Sequence, residues 1–266
     1  MLVLIRGAGD LATGIALRVH RAGIKLVLTD IAQPTAIRRS VSISRAIYDG
    51  LAMVEDVTGI LAKDANEALA IIADGNIPVL VDEKALCIQQ LRPDAVVDAI
   101  LAKYNTGTSI TDAPIVIGLG PGFTAGADCH AAIETMRGHD LGRVLYAGSP
   151  APNTGVPGEI GGFSAQRVMH APSCGVFKQL MDIGALVKAG DAVAYVNGMP
   201  VEAEIDGVLR GILPDGISVH KGMKCADVDP RGNVAACFSV SDKARSLGGA
   251  VLEALLHFYE VSNNEQ

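Results

Sequence analysis

The chain has 266 residues, a formal net charge of −7, 49% hydrophobic but only 4% aromatic residues, and 30 glycines. That length implies one or two domains around an aliphatic core. The acidic balance excludes a nucleic-acid partner, which needs a basic face. No apolar run approaches the ~20 residues that span a bilayer, so no membrane partner is expected. The cysteines Cys87, Cys129, Cys174, Cys225 and Cys237 show no metal-type spacing, and no metal site is expected. With no signal-peptide pattern after Met1, they fit a reduced, cytoplasmic compartment.

Leu2–Ile5 reads as a buried strand that runs into Gly7, Gly9, Asp10 and Gly14, then into an amphipathic segment ending near Arg21. A second strand, Lys25–Thr29, ends on Asp30. Strand, glycine turn, helix, strand and acid form the dinucleotide fingerprint in its proper context. The glycines would let the backbone approach a pyrophosphate seated on the helix N-terminus. Asp30 would hold a ribose 2′-hydroxyl and repel a 2′-phosphate, which points to NAD. Plain βαβ packing uses the same turn.

From Ala32 to Pro114 the pattern stays α/β. A helix is expected over Ala65–Ala73, a strand over Pro78–Asp82, a short helix over Lys84–Leu91 and a strand over Ala95–Asp98. Met53–Leu61 fits no element. Strands alternating with helices imply a parallel sheet, whose ligands bind outside the carboxyl ends of the strands. Asp98, followed by Lys103 and Asn105, is a candidate acid or base at that edge, or a helix cap.

Ile115–Ile117 is a further strand, followed by Gly118, Gly120 and Gly122, with Pro121 stiffening the loop. Glycines this dense turn several N–H groups toward one point, a nest for an anion. Asp128, Cys129, His130, Glu134, Arg137, His139 and Asp140 follow closely, with Asp128 and His130 as catalytic candidates. A tight turn followed by solvated polar residues is the plainer alternative. Val144–Tyr146 closes a Rossmann-like domain over residues 1–147, and the Gly/Pro-rich stretch 148–165 reads as a linker.

The next part repeats itself. Val168–Val196 sets above Pro200–Val228 at an offset of 32 residues, matching Gly175-Val176-Phe177-Lys178 with Gly207-Val208-Leu209-Arg210. The halves resemble those of biotinyl and lipoyl domains, which implies a barrel-sandwich hybrid over 166–232. Those carriers present a lysine on the hairpin between halves. Val196-Asn197-Gly198-Met199-Pro200 has none, so no covalent biotin or lipoate is expected. Ser241 can cap a helix over 239–260 whose apolar residues Leu247, Val251, Leu255 and Phe258 share a face that packs on another domain. The expected fold is therefore α/β: a Rossmann-like parallel sheet domain, a barrel-sandwich β domain and a C-terminal helix.

The order GAGDLATG, DAILAKYN, GLGPGFTAGADCH, IETMRGHDLGR, PNTGVPG, ADVDPRG and SDKARSLGG resembles the selenium-dependent molybdenum hydroxylase accessory proteins of the YqeB type along nearly the whole chain. GAGDLA is also similar to the nucleotide-binding domain of xanthine dehydrogenase accessory factors. The resemblance implies a maturation role with a molybdenum hydroxylase apoenzyme as partner. It implies molybdenum cofactor (molybdopterin dinucleotide) or a small nucleotide-like ligand in the loops Gly7–Gly14 and Gly118–Gly122. The residues also admit an NAD-dependent oxidoreductase, with Asp30 on the ribose and His130 or Asp98 as acid or base. Turnover and assembly into a homo-oligomer are left open by the sequence.

Overall fold

The structure, a computed structural model, describes residues 1–156 and 158–264. Its contacts divide the chain into two units, neither of them continuous. One comprises Met1–Pro34, Ser42–Asn153 and the chain from Val240 onward; the other comprises Thr35–Val41 and Thr154–Ser239.

The first unit is built on β1 (Leu2–Arg6), β2 (Lys25–Asp30), β3 (Leu51–Val54), β4 (Val57–Ala62), β5 (Ile77–Val81), β6 (Ala95–Asp98), β7 (Ile115–Leu119), β8 (Ala131–Ile133) and β9 (Val144–Leu145). They form one sheet in the order β3-β4-β5-β2-β1-β6-β7-β8-β9. The expected parallel Rossmann-like sheet is corrected to a mixed one. Strands β4 to β8 of that order pair in parallel, while β3 runs antiparallel to β4 and β9 antiparallel to β8. Continuous Val/Ile/Leu runs explain the central strands, which are buried on both faces. The β3–β4 hairpin occupies Met53–Leu61, where no element was expected. Its two-residue turn is Glu55-Asp56, with Glu55 at φ 55° rather than the glycine or asparagine such turns favour.

Five helices accompany the sheet: α1 (Asp10–Arg21), α2 (Ala46–Asp49), α3 (Ala65–Ala73), α4 (Ile88–Leu91) and α5 (Asp242–Asn264). Helices α1 and α5 pack without intervening side chains. A Cβ on Gly14 would stand 2.5 Å from the Cβ of Ala244, and one on Gly248 would stand 2.9 Å from the Cβ of Arg18. Both pairs advance by four residues in the same sense, so the helices run parallel and their N-termini share one end. Glu55 fastens the hairpin to both: Arg21 donates to Glu55 at 2.9 Å and Arg245 donates to it at 2.7 Å.

The second unit contains β10 (Val168–His170), β11 (Gly175–Gln179), β12 (Leu186–Val187), β13 (Ala192–Val196), β14 (Met199–Glu202), β15 (Gly207–Ile212), β16 (Ser218–Val219) and β17 (Lys224–Asp229). They form two four-stranded antiparallel sheets, β10-β17-β15-β12 and β14-β13-β11-β16. Shifting every strand by one repeat converts either order into the other. Hydrogen bonds repeat with them: Gly190 N–H donates to the Ala203 carbonyl at 2.8 Å, and Gly222 N–H to that of Ala171 at 2.9 Å. The core is not closed by the two halves alone. Ile37, from the segment Thr35–Val41, joins it, and Ile212 N–H donates to the Ile37 carbonyl at 2.8 Å. The expected class, a parallel Rossmann-like domain followed by a biotinyl/lipoyl-like module, thus gives way to a nine-stranded mixed sheet and a pair of antiparallel sheets completed from upstream.

The α1–α5 contact generates a paired expectation. Gly14→Val should destabilise the protein by about 1–3 kcal/mol, because the added carbons meet a helix that has no room to give. Gly249→Ala, on α5 with nothing within 4 Å of the new carbon, should instead stabilise it by about 0.5–1 kcal/mol. Urea melts of the two variants decide: a neutral Gly14→Val would mean that the helices are free to separate.

Candidate functional site

The carboxyl ends of β1, β2, β6, β7 and β8 carry most of the residues singled out in the sequence. The turn after β1 is held from both sides. Gly7 N–H donates to the Thr29 carbonyl at 2.8 Å and Ala8 N–H to Asp30 Oδ2 at 2.9 Å. The Ala8 carbonyl accepts from Ser44 N–H at 2.9 Å and from Thr13 Oγ1 at 3.1 Å, and Thr13 Oγ1 in turn accepts from Ile43 N–H at 2.9 Å. A Cβ on Gly7 would meet the Ala99 carbonyl oxygen at 2.9 Å, so that glycine lets two loops touch. Gly9 is the N-cap of α1 and supplies no side-chain cap. The first-turn N–H groups of a helix have no partner inside it. Asp10 opens the helix beside that end. Gly14 serves the α5 contact.

Parallel packing brings the N-terminus of α5 alongside. Ser241 Oγ caps it by accepting from Ala244 N–H at 3.2 Å. Lys243 lies in its first turn, half-buried, and the described residues give its ammonium no hydrogen bond or ion pair. Burial lowers the Lys243 pKa, and the neighbouring Arg137 lowers it further; Asp10, Glu134 and Asp242 act in the opposite direction. Arg137 itself grips Asp242 through two bonds of 2.9 Å. Glu134 is buried and spent on the backbone: its oxygens accept from Met136 N–H at 2.6 Å and Ala151 N–H at 2.7 Å. Gly120 has φ +83°, and a Cβ there would stand 2.9 Å from Thr135 Oγ1, a buried hydroxyl at the end of β8.

Asp98 is no free acid or base. It faces Arg6 across the β1–β6 pairing, with Arg6 Nη1 3.4 Å from Asp98 Oδ2, and both side chains are buried. Thr108 Oγ1 donates to Asp98 Oδ2 at 2.6 Å and accepts from Arg6, closing the loop between residues 99 and 108 at its base. Burial pushes the Asp98 pKa up, while Thr108 and Arg6 pull it down. Within that loop Leu101 and Lys103 hold φ of 61° and 63°, a strained region for side chains other than glycine.

The second glycine run splits its duties. Gly118 makes room for the Phe123 ring and Gly122 for the Tyr104 backbone, each with under 3 Å to a hypothetical Cβ. Asp128 caps a turn by accepting from Thr124 N–H at 2.9 Å. His130 Nδ1 accepts from Val116 N–H at 2.9 Å, near the start of β7 and away from the carboxyl edge, and its ring meets Phe258 edge-on at 5.8 Å. Cys129 is buried with its thiol pushed up to about 11. Gly7, Gly9, Asp10, Asp30 and Gly120 therefore gather at one edge with Asp98 beside them, while Gly14, Gly118, Asp128 and His130 have structural posts. Sequence reasoning missed Lys243 and Thr108. The first had a signal: a lysine follows Ser241-Asp242 in a helix's first turn, where an acid is the rule.

Among the described residues no group of three or more His, Cys, Asp or Glu side chains is placed to hold a metal, and no helix is long and apolar enough to cross a membrane. No protein-family model matches the chain. The chain is similar to YqeB of Escherichia coli. Identity is 50% over 255 residues, 96% of this chain but 47% of that protein, which is described as uncharacterized. The chain thus spans about half the length of the curated relative it matches. Among solved structures it is similar, at a TM-score of 0.26 and 10% identity, to an aspartoacylase family protein of Mesorhizobium loti, over 85% of this chain and 83% of that one. The ectoine utilization protein EutE of Ruegeria pomeroyi gives 0.26 and 15% identity, over 85% and 84%. At such scores the likeness assigns neither fold nor activity.

The resemblance to selenium-dependent molybdenum hydroxylase accessory proteins is corrected accordingly. The relative it matches is described only as an uncharacterized YqeB, with no molybdenum hydroxylase link. The maturation role, selenium handling and Rossmann nucleotide binding fall with it. The NAD-dependent oxidoreductase reading loses its acid–base candidates as well, since His130 is engaged with β7 and Asp98 with Arg6 and Thr108.

Two outcomes follow from these buried groups. Asp98→Ala would leave Arg6 buried without its carboxylate and should cost about 3–5 kcal/mol in a denaturant melt; a loss below 1 kcal/mol would mean water replaces the pair. Burial lowers the His130 pKa, so the folded state resists a proton that the unfolded chain takes up near pH 6.5. Stability should fall as pH drops through that value. His130→Asn, which keeps an acceptor for Val116 N–H but does not titrate, should lose less stability than wild type between pH 8 and about 5.5. Parallel slopes would remove His130 from the acid response.

Proposed function

We propose that the protein binds a small anionic ligand, with a carboxylate or phosphate as the recognised group, where the N-termini of α1 and α5 meet at the carboxyl edge of the nine-stranded sheet. The observation that carries this is Lys243. A helix N-terminus bears about half a positive charge, so a cation there is disfavoured by the dipole. Two such ends lie side by side, and Lys243 adds a third positive element, with no hydrogen bond or ion pair to its ammonium among the described residues. An anion relieves all three at once, accepting hydrogen bonds from the uncapped first turn of α1 and from Lys243. Asp10, Glu134 and Asp242 favour the charged ammonium, against the burial and the Arg137 charge that lower its pKa. Gly120 and the buried Thr135 hydroxyl flank the same edge, with Gly120 N–H held by the Ile133 carbonyl.

Calorimetry with inorganic phosphate and with acetate tests the proposal. Wild type should bind at least one of them, and Lys243→Met should weaken binding by about tenfold, the scale of one charge-assisted hydrogen bond. Melting should change little, because the ammonium supports no contact within the fold. Equal affinity in the variant would remove Lys243 from the site, and wild type that binds neither anion would refute the proposal.

A further inference from the structure

Asp30 stands where a dinucleotide-binding sheet keeps the acid that grips a ribose, yet its surroundings give it other work. Oδ2 accepts the Ala8 N–H at 2.9 Å and Oδ1 accepts the Ile31 N–H at 2.8 Å. Two backbone donors converge on one side chain, and only a carboxylate offers an acceptor to each; an asparagine has one acceptor and one donor. The residue type is thus accounted for without a ligand hydroxyl.

Its effect falls on the anion site. Ala8 is fully buried, and the peptide groups around it are clamped on opposite sides: the N–H by Asp30, the carbonyl by Thr13 and Ser44. Fixing Ala8 fixes the orientation of the following peptides, and these are the ones that open α1. Without the clamp, the Ala8 N–H would be a buried donor lacking an acceptor, and the loop would have to turn to find one. That turn would swing the first N–H groups of α1 away from a common point.

We propose that Asp30 is the positioning residue of the anion site and does not touch the ligand, so that the ligand class is a small acid recognised without a ribose diol. This rests on the anion-binding reading above. Binding of inorganic phosphate and of adenosine 5′-monophosphate is measured by calorimetry on wild type, Asp30→Asn and Asp30→Ala, beside amide exchange of residues 8–11 and thermal melts. Asp30→Ala should lose about tenfold in phosphate affinity, as expected for one lost bond to a charged group, and its exchange at residues 8–11 should quicken. Asp30→Asn, able to keep the Ala8 bond by turning its carbonyl to the loop, should recover part of the affinity. The ratio of nucleotide to phosphate affinity should stay the same in all three proteins. Unchanged phosphate affinity and exchange in Asp30→Ala would overturn the positioning role. A nucleotide preference above about tenfold in wild type that vanishes in Asp30→Asn would overturn it differently, by placing the carboxylate on the ribose. Wild type that binds neither probe would instead bring down the anion site, and the role of Asp30 with it.

Discussion

The close approach of α1 and α5 is the constraint on which the candidate site depends. Helix axes come this near only when small residues face each other, and here Gly14 meets Ala244 while Gly248 meets Arg18. The pairing joins chain segments some 230 residues apart and makes them parallel. Parallel alignment has an electrostatic cost, because like ends of two dipoles lie together. Asp10 and Asp242, each in a first turn, offset part of it. Lys243 works against that compensation, which is why it stands out.

Around that edge buried polar groups are tied into small circuits. Arg6, Asp98 and Thr108 bond to one another, with the buried Arg6 Nε left without a hydrogen bond. Glu134 gives both oxygens to backbone donors, as Asp30 does. Such circuits add little net stability compared with apolar packing, but breaking one member is expensive. They fix loop shapes instead. The loops after β1, β6 and β8 are each pinned by a side chain from the end of a strand in the same sheet.

Much of this was legible. The strand–turn–helix–strand order at the N-terminus, the helix over Ala65–Ala73, the strands near Ile77, Ala95 and Ile115 and the 32-residue repeat all follow from periodicity and glycine placement. The β3–β4 hairpin was hidden because its turn uses Glu55 and Asp56 instead of glycine. Ile37 was invisible as a core residue of the second unit, since nothing local tells a chain that its hydrogen-bond partner is the distant Ile212. At the candidate site, the partners of these side chains could not be read from the sequence. A carboxylate after the second strand suits a ribose or a backbone N–H equally well, and His130 next to Asp128 suggests acid–base chemistry until Val116 is seen to claim its ring nitrogen. Lys243 escaped notice because its importance comes from α1, which only folding brings near.

The segment Thr35–Val41 has a consequence for how the protein is made. Arg38 donates to the carbonyls of Ala236 and Ser239, and Ser40 to that of Cys237, all within the second unit. These seven residues find their partners only after about two hundred more have been added. The first unit waits as well, because α5 begins beyond residue 240. Until residue 240 is passed, the first unit lacks the buried residues of α5 and the second lacks the partners of Arg38 and Ser40. Vectorial, unit-by-unit folding, the usual protection of a two-part protein against misassembly, is not open to this one. Its newly made chain should lean on chaperones, and a ribosome that stalls before residue 240 should release a product prone to aggregate.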